Sequence, residues 1–78
     1  MSKHILMIDD EQPIRELLGQ YLVSCGYQVS DASTSHEAFA AVEKQAPDLI
    51  ISDLQLEDAD GIEMIAHLKE RLPTVPVI

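Results

Sequence analysis

Three aspartates stand where an apolar run gives way to polar chain. Asp9 and Asp10 follow the run at residues 5–8, and Asp53 follows a second run at 49–52. Carboxylates brought together repel: two such charges ~5 Å apart cost roughly 3 kcal/mol at an effective dielectric of about 20. A cluster of three needs a compensating cation. An all-oxygen set with open positions suits Mg²⁺, which keeps several waters and accepts phosphate oxygens as ligands. A carboxylate beside such an ion can attack phosphorus and give an aspartyl phosphate. The ion neutralises the phosphoryl oxygens while the protein supplies position. Glu11, next to the pair, reads as an ordinary solvated loop acid.

These acids work together only if the chain brings them to one edge. Residues 4–9 form a short apolar run, the pattern of a strand covered on both faces. Ile14, Leu17, Leu18, Tyr21, Leu22 and Cys25 then fall on one helical stripe, with Gly19 off it. Pro13 suits a first turn, and Gly26 suits the position after a helix. Residues 27–31 alternate as a shorter strand. Thr34 and Glu37 make a capping box for a second helix carrying Ala38, Phe39, Val42 and Ala46, which Pro47 ends. Residues 49–53 repeat the strand that ends in acid. After a polar loop, Asp60 and Glu63 offer a cap for a third helix carrying Ile62, Ile65, Leu68 and Leu72. Pro73 closes it, and residues 75–78 begin a fourth strand. Single helices between strands imply parallel pairing and an open α/β sheet with helices on both faces. Ligands bind such sheets beyond the carboxyl ends of the strands, where the acids stand.

Composition narrows the function classes. The 78 residues carry 14 acidic and 5 basic side chains, a net charge of −9. Lys3, Arg15, Lys44, Lys69 and Arg71 are scattered, which argues against nucleic acid and against an anionic membrane surface. No apolar run is long enough to span a bilayer, and the first residues do not make a secretory signal. One cysteine allows no internal disulfide and fits a reducing, cytoplasmic setting. Cys25 is expected to be buried on its helix as a small hydrophobe. His4, His36 and His67 share no ligand spacing and are expected at the surface or at strand ends. Met7 and Met64 are expected to pack. The Asp58 to Gly61 segment fails as a calcium loop, since Leu56 and His67 would fall where acids are needed.

The run Ile-Leu-Met-Ile-Asp9-Asp10-Glu11-Gln-Pro13-Ile14 resembles the opening of the receiver domain of two-component response regulators. Pro47-Asp48-Leu-Ile-Ile-Ser-Asp53-Leu54-Gln55-Leu56, with Asp60-Gly61 after it, resembles that domain's third strand and following loop. The resemblance covers the whole chain and implies a flavodoxin-like open parallel sheet of order 2-1-3-4. It implies Asp53 as the phosphoacceptor. Mg²⁺ would be held by Asp10, by Asp9 directly or through water, by Asp53 and by the backbone carbonyl of Gln55. The donor would be a phosphohistidine on a sensor histidine kinase or phosphotransfer protein, docking on the helix that carries Ile14, Leu17, Leu18 and Tyr21.

The sequence departs from the family pattern in two places. Glu57 stands where the family usually has proline, so the loop is more acidic. The family fold has five β/α units, and residues 1–78 supply three units and most of a fourth strand. The fourth helix, fifth strand and fifth helix are not in this segment, nor are the hydroxyl and lysine that contact the phosphoryl group. An unpaired edge and an uncovered sheet face would then favour self-association. Two other functions compete with the phosphoacceptor. One is a receiver-like dimerisation module that is never phosphorylated. The other is a Mg²⁺-dependent phosphatase-type enzyme, which would need catalytic groups the sequence does not display.

Overall fold

A computed structural model describes residues 3–52 and 61–78. Its first strand, β1 (His4–Ile8), is buried at all five positions. It lies between β2 (Gln28–Ala32) and β3 (Leu49–Ser52), giving a parallel sheet of order β2-β1-β3. The central position explains the unbroken apolar run, because side chains on both faces meet protein. Ile5 pairs with Val29 on one side and with Leu49 on the other. Beyond β3, the amide of Ile78 donates to the Ile50 carbonyl at 2.9 Å and the amide of Ile50 to that of Pro76 at 3.0 Å. Val77 thereby bridges Ile50 in parallel, an isolated bridge alongside β3.

Among the described residues three helices cover the sheet: α1 (Gln12–Ser24), α2 (Ser35–Lys44) and α3 (Gly61–Arg71). Leu6, Ile8 and Ile50 pack with Ala38 and Val42 of α2 and with Met64 and Leu68 of α3. The opposite face carries α1, where a Cβ added at Gly19 would lie 4.0 Å from both Met7 and Val29. That is ordinary contact, so close approach does not require glycine there. Gly26 is different. Its φ of +97° follows α1, and the Gly26 amide donates to Val23 while the Tyr27 amide donates to Leu22. This pair of bonds closes the helix in the left-handed conformation that glycine adopts without strain. Thr34 caps α2 by accepting from the Glu37 amide at 3.1 Å. Glu37 Oε1 in turn accepts from the Ser33 amide and hydroxyl, each at 3.0 Å.

Four expectations need correction. The inward stripe of α1 is Arg15, Leu18, Gly19 and Leu22, whereas Ile14, Leu17, Tyr21 and Cys25 are exposed. The apolar residues of this helix outnumber the places beneath it, so the stripe fixed by hydropathy runs too wide and Cys25 falls outside the contact. Ala46 is exposed and outside α2, which ends at Lys44. The residue before Pro47 is pushed out of the helical region. Ile62 is 67% exposed, and Met64 takes the buried place beside Leu68. His4 stands at a strand end as expected, and it is buried there because the central strand is covered from its first residue. The first two strands run at residues 4–8 and 28–32, each a residue off the sequence estimate at one end or both.

Candidate functional site

The parallel register brings the carboxyl ends of the strands to one edge. Ile8 pairs with Ala32 of β2 and with Ser52 of β3. Asp9 continues the ladder by one bond, its amide donating to the Ala32 carbonyl at 3.0 Å. The chain then turns into α1. Asp9 Oδ1 accepts from the Glu11 amide at 2.9 Å, a side-chain turn that fixes the carboxylate at the strand–helix junction. Asp9 is half-buried and Asp10 is exposed. Asp53 and Gln55 lie outside the described residues, as do Glu57, Asp58 and Asp60. Among the described residues, no three metal-ligating side chains gather. The described part of the site is therefore the Asp9–Asp10 pair beside Ser52. Two hard carboxylates with oxygen donors only are a donor set that fits Mg²⁺ better than a softer metal.

A cavity of about 280 Å³ opens at this edge, lined by Met7, Asp9, Arg15, Ile51 and Ser52 among others. Arg15 was absent from the candidates read in the sequence. Its Nη1 donates to the Asp9 carbonyl at 2.6 Å, and its Nε donates to Asp31 Oδ2 at 3.3 Å. The side chain is only 14% exposed, against 59% for Asp31. One signal could have found it. Arg15 shares a helical face with Leu18 and Leu22, and Asp31 stands near the carboxyl end of β2.

None of the three histidines lines the cavity at this edge. His36 and His67 are exposed, and His67 meets Phe39 edge to face at 6.3 Å between ring centres. His4 occupies the opposite end of the sheet. Its Nε2 shares a 2.7 Å hydrogen bond with Ser30 Oγ, and its Nδ1 has no partner among the described residues. The His4 amide donates to Asp48 Oδ2 at 2.8 Å, and the Asp48 amide donates to the His4 carbonyl at 2.7 Å. Asp48 thus fastens the entry to β3 onto β1, which sets the register that aligns the two strand ends.

The family model of the response regulator receiver domain matches residues 5–78. The chain belongs to this family. It is 40% identical over 78 residues to the alkaline phosphatase synthesis transcriptional regulatory protein PhoP of Bacillus subtilis (strain 168), covering all of this chain and 32% of that protein. It is 36% identical over 75 residues to the transcriptional regulatory protein GlrR of Escherichia coli (strain K12), covering 96% of this chain and 17% of that protein. Among solved structures it is similar to the chemotaxis response regulator CheY4 of Vibrio cholerae. The TM-score is 0.93 at 28% identity, over 99% of this chain and 66% of that one. The chain thus spans a third or less of the length of these two curated relatives. Its fold is the flavodoxin-like receiver fold that the resemblance implied. No helix among the described residues is long and apolar enough to cross a membrane.

Proposed function

We infer that this receiver domain accepts a phosphoryl group on Asp53 from a phosphohistidine of a sensor histidine kinase or phosphotransfer protein. The supporting observation is the register of β1 against β3. It pairs Ile8 with Ser52, and in the sequence Asp9 follows one and Asp53 the other. Asp9, Asp10, Asp53 and the Gln55 carbonyl are the groups assigned to Mg²⁺. When bound, Mg²⁺ would offset the charge on the phosphoryl oxygens and on the acids around them. In the transfer, a carboxylate oxygen of Asp53 forms a bond to phosphorus as the phosphorus–nitrogen bond of the phosphohistidine breaks. The electron pair returns to the ring nitrogen, which takes up a proton from water to give neutral imidazole. Asp9 and Asp10 hold negative charge at the edge without being consumed. The domain is a substrate of its partner and not a turnover enzyme, and it acts in the cytoplasm without itself binding nucleic acid. The exposed Ile14, Leu17 and Tyr21 on α1 form the surface for the donor protein.

The test is intact mass spectrometry after incubation with Mg²⁺ and a small acyl phosphate. One phosphoryl adduct is expected, absent from Asp53→Asn and lost when EDTA removes the cation. An adduct that survives in Asp53→Asn would remove Asp53 from its role. Labelling that is indifferent to EDTA would remove Mg²⁺. Sustained donor consumption at enzymatic rates would favour an enzyme instead.

A further inference from the structure

We propose that Arg15 is the positioning residue of the metal site. Its guanidinium spans from the Asp9 carbonyl to the Asp31 carboxylate and sets the backbone from which Asp9 and Asp10 reach the cation. The inference rests on reading this edge as a Mg²⁺ site. The geometry that carries it is specific. Asp9 is held at three points: its amide by Ala32, its side chain by the Glu11 amide, and its carbonyl by Arg15. The first two bonds fix the strand end and the turn. The first also ties the strand end to β2 at Ala32, and the third adds a side-chain link to β2 through Asp31. A planar guanidinium can serve two acceptors in fixed directions, which an ammonium cannot.

Arg15 takes the inward place nearest the site on α1, ahead of Leu18 and Leu22. Its side chain is largely covered, yet nearby Ile14 and Leu17 are apolar and exposed. A cation in that inner place is also unfavourable for a second cation at the same edge. Charge alone would therefore make Arg15 a hindrance to Mg²⁺. Positioning and repulsion predict opposite signs, and this separates them.

The experiment is a titration with Mn²⁺ alone, followed by loss of the free-ion EPR signal, on the chain and four variants. Far-UV circular dichroism melts are recorded alongside. Arg15→Gln is expected to bind Mn²⁺ about tenfold more weakly, the scale of removing a group that orients a metal ligand. Arg15→Lys keeps the charge and loses the fork, so weaker binding there is the deciding result. Asp31→Asn, at an exposed side chain, should weaken binding less. The Arg15→Gln/Asp31→Asn double variant should be no weaker than Arg15→Gln, since both act through one link. If the unaltered chain binds no Mn²⁺, the metal reading fails and the inference goes with it. If the chain binds Mn²⁺ and Arg15→Lys binds it equally well, the inference alone fails. Tighter binding in Arg15→Gln, or a lower melting temperature with unchanged affinity, would also overturn it. Should Arg15→Gln lose its melting transition, the charge-conserving Arg15→Lys decides: weakened binding supports the positioning role, and unchanged binding ends it.

Discussion

The place of Asp9 and Asp10 was legible in the sequence, because both acids follow an apolar run whose end a parallel sheet must expose. The partners of Arg15 and His4 were not. A lone arginine on a helix reads as solvated, and nothing local records that its partners lie 6 residues back and 16 ahead. His4 reads correctly as a strand end, but the neighbours that meet it there, Ser30 and Asp48, lie far along the chain. Two consequences belong at this scale. Ser30→Ala would leave the buried His4 ring without its side-chain partner, and an unsatisfied buried group costs about 1–3 kcal/mol. Urea unfolding should show the midpoint falling accordingly, and an unchanged midpoint would mean that water takes the hydroxyl's place. Thr34→Ala removes the cap of α2 and should cost about 1 kcal/mol. Glu37→Gln should cost less, since an amide oxygen can still accept from the Ser33 amide.

Among the elements, existence and order were easier to read than facing. The alternation of strand and helix follows from runs and breakers, such as Pro47 before β3 and Gly26 after α1. Which side of a helix turns inward depends on what lies beneath it. In α3, Ile62 and Leu68 looked equivalent by spacing. Leu68 is fully buried with Met64 against α2 and the sheet, and Ile62 faces outward. The pair makes a direct test. Leu68→Ala should lower stability by about 2–5 kcal/mol, as for other large side chains removed from a core. Ile62→Ala should stay within about 0.5 kcal/mol of the parent, as exposed sites do. Comparable losses at both positions would mean that the outer face of α3 is covered in solution. The ion pair Arg71–Glu43 joins α3 to α2 at 2.9 Å, but both side chains are more than half exposed. It contributes under about 1 kcal/mol and does not set how the helices meet.

On the scale of the whole molecule, the strand order came from family resemblance, since spacing alone does not say which parallel strand is central. Physical reading is more useful for what the sheet leaves uncovered. On α1, Leu17 is 73% exposed and Tyr21 is 64% exposed, with Ile14 on the same stripe. An apolar strip of this kind on a small domain favours contact with another surface. Each copy carries a net charge of −9, which opposes the meeting of two copies. The balance between the two effects depends on salt. At 0.1 M ionic strength the screening length is about 10 Å, and further salt shortens it, so repulsion fades while apolar attraction persists. Sedimentation velocity should therefore show self-association that strengthens with both protein and salt concentration. Leu17→Glu adds charge to the centre of the strip and should return the chain to monomer at every salt concentration tested. The same substitution should slow phosphoryl transfer from a partner protein while leaving labelling by a small acyl phosphate unchanged, because it blocks docking without touching the acid edge. Association that weakens as salt rises would show ionic contacts between copies. Association that survives Leu17→Glu would move the interface from α1 to the open edge of β2.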